Sequence, residues 1–157
     1  MRITQEADYA IRVTCYLAEA EKDEIEGKRD SRIVGAVELS EKTAVPHRFT
    51  LAILRKLVMC TLAISHKGKH GGYRLARPAE NITLRDVIEA IDGPLYISKC
   101  HDGDHVCSRH GIDKSECRIH HILFEASHTL AQRLGRVTVK DAIDSTVPID
   151  ALCERLK

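Results

Sequence analysis

The chain has 157 residues, of which 43% are hydrophobic and only 4% aromatic, with no tryptophan and a formal net charge of +1. One aliphatic-cored domain of ordinary size, mainly helical, is the expected outcome. The opening MRITQEADYAIR lacks an apolar h-region, and no stretch approaches the roughly 20 apolar residues of a membrane span, so a cytoplasmic chain with no membrane partner is expected. Six cysteines in such a chain point to metal or redox chemistry rather than a disulfide framework.

In chain order, Ala7 to Ala20 carries Ala7, Ala10, Ile11, Cys15, Leu17 and Ala18 at helical spacing, with Thr4 placed to start the helix. The polar segment 21–32 reads as an exposed loop. A short helix over 34–44 is interrupted at Val45-Pro46, and Pro46 suits the first turn of a third helix reaching Met59. Phe49, Leu51, Ile53, Leu54, Leu57 and Val58 supply its buried side. Two short helices across a tight turn form a helix-turn-helix, whose second helix enters the major groove by its N-terminal residues.

Next come two short strands, 62–64 and 73–75. They are joined by His66-Lys67-Gly68-Lys69-His70-Gly71-Gly72, a glycine-rich basic tip of the kind that forms a wing. A helix over 81–91 has Thr83 as N-cap with Asp86 three residues on, and Asp92-Gly93-Pro94 ends it. A polar loop over 98–116 follows. A long helix over 116–134 bears the stripe Ile119, Ile122, Leu123, Ala126, Leu130 and Leu134, and a last short helix over 139–143 is capped by Thr138. The fold class is mainly α with a small β-hairpin. A winged helix-turn-helix domain is followed by a long helix whose stripe needs a partner chain as cover.

The charge gains meaning once it is located. Residues 42–77 hold eight Lys or Arg and no acid, which leaves the rest of the chain seven charges negative. A solvated face ordinarily mixes signs, so this segregation points to a polyanion. The expected DNA contacts are His47, Arg48, Thr50 and Arg55 on the third helix, with His66, Lys67, Lys69, His70 and Arg74 on the wing.

Cys15 and Cys60 sit among apolar neighbours and read as small core residues, and Cys153 lies near the C-terminus. Cys100, Cys107 and Cys117 cluster as C-x6-C-x9-C. Three soft thiolates favour an iron–sulfur cluster or zinc and leave a fourth position to another residue. His120 lies one helical turn beyond Cys117; His101, His105, His110 and His121 are further candidates.

The opening MRITQEADYAIR, the block KGKHGGYRLARPAENITLRDVIEAIDGPL and the cysteine loop after it make the chain similar to the Rrf-two superfamily of bacterial winged-helix regulators, across nearly its whole length. The resemblance implies a homodimer on a palindromic double-stranded DNA operator, with the long helix as the dimer element. It divides the chain into a DNA-binding domain over 1–95, a cluster-binding loop over 96–118 and a dimerisation segment over 116–157. It also implies an iron–sulfur cluster on Cys100, Cys107, Cys117 and one other residue. His120 would be that ligand in an IscR-like [2Fe–2S] arrangement, and Asp8 in an NsrR-like [4Fe–4S] one. The cysteine spacing here is wider than is usual in the family, and the 21–32 loop is longer. The expected function is a transcriptional regulator, taken as a repressor, whose DNA affinity follows a cluster that senses iron, redox or nitric oxide status. The alternatives are a zinc-stapled or metal-free winged-helix regulator and, in a different class, an electron-transfer or redox iron–sulfur protein. The chain carries no nucleotide fingerprint or nucleophile motif, so no enzymatic activity is expected.

Overall fold

The structure is a computed structural model that describes residues 3–101 and 113–157. Helix α1 (Gln5–Ile25) is its axis. Thr4 caps it by accepting the Ala7 N–H at 3.1 Å, and Ala7, Ala10, Val13, Thr14, Leu17, Ala18 and Ala20 form its buried stripe. Small alanines on that stripe let neighbouring elements approach closely. Residues 21–25, expected in a loop, continue the helix, since nothing before Gly27 breaks it. Two carboxylates on this extra turn, Glu21 and Glu24, pair with Arg32 at 3.1 and 3.7 Å.

Helix α2 (Ala36–Thr43) stops at Ala44, which adopts the left-handed conformation (φ 54°, ψ 33°) and turns the chain sharply. Pro46 then leads into α3 (His47–Met59). The α2–α3 unit is locked onto α1 by a polar bracket. Arg29 donates to both carboxylate oxygens of Glu38 at 2.7 and 3.0 Å, and the Tyr16 hydroxyl donates to the same carboxylate at 3.0 Å. The Arg29 hydrogen bonds hold the Glu38 carboxyl below its usual range, against the opposing effect of burial.

Strands β1 (Ala63–His66) and β2 (Gly72–Leu75) pair antiparallel, with Ala63 opposite Leu75 and His66 opposite Gly72. Val34, expected inside the second helix, is instead extended and makes a bridge with Tyr73 on the far side of β2, exchanging hydrogen bonds of 2.9 and 2.8 Å. The backbones meet so closely there that a Cβ on Gly72 would lie 2.5 Å from the Val34 carbonyl oxygen. The double glycine therefore seats the wing on the domain.

A 3-10 turn (Ala79–Asn81) precedes α4 (Leu84–Asp92), where Thr83 and Asp86 form the expected reciprocal capping box. Helix α5 (Arg118–Leu134) leans on this unit through Ser127 and Ala131, the latter packed with Ala7, Ile88 and Leu95. The chain then returns. Helix α6 (Val139–Ile143) carries a second capping box, Thr138 with Asp141. Val139 is fully buried in the main core with its N–H on the Ile82 carbonyl at 2.8 Å. A final helix not anticipated from sequence, α7 (Ile149–Glu154), starts at Pro148, and Arg155 just beyond it pairs with Asp141 at 2.6 Å. No helix among the described residues is long and apolar enough to cross a membrane.

Candidate nucleic-acid interface and metal centre

The helix-turn-helix and hairpin form where the sequence places them, and the structure sorts their charges. On α3 the exposed positions are His47, Arg48, Ala52, Arg55 and Met59, so Arg48 and Arg55 fall on one stripe two turns apart. The Arg48 guanidinium rests 4.8 Å from the Phe49 ring centre, which steadies its stem while leaving it exposed. At the hairpin tip Lys67, Lys69 and His70 are exposed, whereas His66 is half-buried. Among the described residues Lys42, Arg48, Arg55, Lys67 and Lys69 make no ion pair.

The other cations of the acid-free stretch are engaged within the chain. Lys56 reaches across to Glu6 at 2.9 Å, and Arg77 pairs with Asp86 at 3.2 Å. Arg74 donates to His66 Nε2 across the hairpin at 3.0 Å and to the Leu75 carbonyl at 3.1 Å. Thr50 is a correction. It is fully buried in register with Ile53, Leu54 and Leu57, and its hydroxyl points back to the Val45 and Pro46 carbonyls at 3.3 and 3.4 Å. A threonine can join an apolar stripe when its hydroxyl finds a backbone acceptor in the preceding turn, so Thr50 cannot reach a base.

The second cluster lies where the segment after α4 meets the start of α5. The Ile97 N–H donates to Ser127 Oγ at 3.0 Å, tying that segment to α5. Cys100 and His101 follow on a 3-10 turn (Lys99–His101), and His120 stands in the first turn of α5. One donor atom from each of Cys100, His101 and His120 lies within 4.8 Å of the other two. The two imidazoles have ring centres 4.3 Å apart, and His101 also neighbours Tyr96 at 5.8 Å and Phe124 at 5.5 Å. Burial, followed by the neighbouring His120 and Lys114, pushes the His101 pKa below its usual value.

The other expected ligands are not in this group. Cys117 is the N-cap of α5, and its thiol is not among the converging donors. Asp8 is held by Arg12 on its own helix at 2.7 Å. Cys107, with His105 and His110, lies outside the described residues. His121 turns away to the Ser115 carbonyl at 2.7 Å. Of the cysteines expected in the core, Cys15 is partly buried and its thiol is pushed up to about 11 by burial and then by Glu19. Cys60 is instead exposed at the C-cap of α3.

With this geometry in view, comparison with known proteins is decisive for the family. Residues 3–145 match Rrf2, described as iron-dependent transcriptional regulators. The chain belongs to the Rrf2 family. An HTH-type transcriptional regulator of Mycobacterium tuberculosis (strain ATCC 25618 / H37Rv) is 37% identical over 95 residues; this covers 60% of the chain and 54% of that relative, so the chain spans about half of the relative's length. The Rhizobium meliloti (strain 1021) protein aau3 is 28% identical over 153 residues, covering 97% of the chain and 91% of aau3. Among solved structures, the global cysteine regulator CymR of B. subtilis superposes with a TM-score of 0.66 at 18% identity, over 94% of this chain and 99% of CymR. T. potens IscR superposes with a TM-score of 0.64 at 17% identity, over 94% and 89%. These two establish the winged-helix fold. Rrf2 proteins are transcriptional regulators, not enzymes.

In this Rrf2 chain, sequence spacing pairs His120 with Cys117, whereas the donors that converge with His120 among the described residues are those of Cys100 and His101. His101 received less weight in sequence, because a histidine adjacent to a cysteine in a polar loop has no periodic signal. Only the 3-10 turn, which stacks it on His120, distinguishes it from surface histidine.

Proposed function

We propose that this Rrf2 protein binds double-stranded operator DNA as a homodimer, with the start of α3 in the major groove and the wing along the phosphates. The supporting observation is the acid-free stretch 42–77, whose unpaired cations, apart from Lys42 at the end of α2, fall on the exposed α3 stripe and the hairpin tip. Arg48 is the proposed base reader, joined by His47, with Arg55, Lys67, Lys69 and His70 assigned to the phosphate backbone, and with His66 and Arg74, which bond each other across the hairpin, supporting the wing. The unpartnered outer face of α5, with Ile119 and Ile122 about 60% exposed, supports a self-complementary interface and hence a palindromic site. Selecting bound fragments from random DNA, then measuring Arg48→Ala on the selected site and on scrambled DNA, tests this. Loss of a bidentate base contact costs about 1–3 kcal/mol on the selected site alone. Equal losses on both DNAs reduce Arg48 to a phosphate contact.

We further propose that DNA affinity follows an iron–sulfur cluster held by Cys100 and His120, with Cys107 and Cys117 as the remaining thiols. The convergence of Cys100 with His120, in a group of donors that does not include Asp8, supports an IscR-like over an NsrR-like donor set. When bound, such a cluster would supply a centre reactive to iron supply, redox state or nitric oxide. The chain's contribution is to join the end of the winged domain to the start of the dimer helix, so that ligand loss loosens the spacing of two recognition helices. Protein purified without oxygen should be brown, and His120→Ala should shift its spectrum while Asp8→Ala should not. A colourless protein with stoichiometric zinc would replace the cluster by a structural zinc.

A further inference from the structure

The group Cys100, His101 and His120 has features that a surface cluster of polar residues lacks. His101 Nε2 and His120 Nδ1 are both buried, and neither has a hydrogen-bond partner among the described residues. Two adjacent orphaned imidazole nitrogens, in rings 4.3 Å apart, are unfavourable unless something accepts their lone pairs. Cys100 Sγ is 3.0 Å from Ser98 Oγ, so a hydroxyl stands ready to donate to a thiolate at that position. Tyr96 and Phe124, both partly exposed, flank His101 with their ring centres 5.8 and 5.5 Å from its own. No carboxylate belongs to the group, which disfavours magnesium and calcium, whereas one thiolate with two imidazoles suits a borderline divalent transition ion.

We propose that Cys100, His101 and His120 form a binding site for a single ferrous or zinc ion, with His101 as a ligand. The inference rests on the reading that this region binds metal, and it differs from the cluster in needing neither Cys107 nor Cys117. Tetrahedral bonds of roughly 2.3 Å to sulfur and 2.0–2.1 Å to nitrogen put donors about 3.3–3.6 Å apart. The three donors already lie within 4.8 Å of one another, so side-chain rotation closes the site without rebuilding the backbone. An exchangeable donor such as water takes the fourth position. Occupancy fastens the segment after α4 to the first turn of α5 in the absence of a cluster, with which the ion would compete for Cys100 and His120.

The test is cobalt(II) titration of the full-length, chelator-stripped, reduced protein. Wild type should take up one equivalent, giving intense tetrahedral visible bands and a near-ultraviolet thiolate-to-cobalt band that zinc abolishes. His101→Ala and His101→Gln should each lose affinity by at least the roughly 100-fold that even outer-shell losses reach, with unchanged helical circular dichroism. Cys107→Ser and Cys117→Ser should keep the bands. Retention of the spectrum in both His101 variants overturns the site, as does its loss in Cys107→Ser or its absence from wild type. Anaerobic cluster assembly in the same variants separates the two readings. A protein that binds cobalt through His101 but never assembles a cluster retains this site and loses the cluster proposal. One that assembles a cluster but binds cobalt independently of His101 does the reverse.

Discussion

Neutralising the wing tip should separate phosphate contacts from charges spent inside the fold. Lys67 and Lys69 are exposed and make no ion pair among the described residues, so Lys67→Ala with Lys69→Ala removes two cations and no internal bond. Each phosphate contact contributes about 0.9 to the slope of log affinity against log salt, so two lost contacts flatten it by about 1.8 per bound protomer. Raising salt fourfold, from about 50 to about 200 mM, should therefore shrink the advantage of wild type over the double variant by about 12-fold per protomer. The control is Lys56→Ala. It lies in the same acid-free stretch, but its ammonium is committed to Glu6 at 2.9 Å, so the slope should hardly move. Fluorescence anisotropy with labelled operator and with scrambled DNA, over a salt series, reads all of this. The double variant should weaken both DNAs alike. The assignment fails if the double variant keeps the wild-type slope, or if Lys56→Ala flattens it equally.

Other outcomes follow from the same geometry. Thr50→Val should leave DNA selectivity untouched and cost less than about 1.5 kcal/mol of stability in denaturant melts, because it removes one long hydrogen bond within the core; a change in site preference would return Thr50 to the reading surface. Leu130→Glu places a charge in the shallow apolar groove lined by Ile122, Ala126 and Leu130 and should give monomers in sedimentation. A wild-type protein that is itself monomeric at micromolar concentration would refute the dimer. Cys15, with a thiol pKa pushed up to about 11, should resist alkylation at pH 8 in the folded protein, whereas exposed Cys60 and Cys153 should react. Peptide mapping that finds Cys15 labelled at their rate would contradict its burial.

The sequence by itself determined helices α1 to α6, the turn and the wing, though not the last turn of α1 or α7, because the former carry local signals. Thr4, Thr83 and Thr138 announce helix starts, Pro46 opens α3, and the paired glycines close the hairpin. The basic segregation over 42–77 was equally legible, since charge needs no fold to be counted. What only the tertiary structure decided is which side chains are spent on other parts of the chain. Lys56 meets Glu6 and Arg77 meets Asp86, and neither pairing has a helical period to betray it. Thr50 looks polar in sequence, yet the buried stripe of α3 claims it because a backbone carbonyl satisfies its hydroxyl. Val34 leaves its helix for a bridge to β2, and Val139 returns to the core after α5. The metal-ligand group shows the same division. Cysteine spacing drew attention to Cys100, but only the stacking of a 3-10 turn on the first turn of α5 brings His101 against His120, because proximity across a chain reversal is a property of packing.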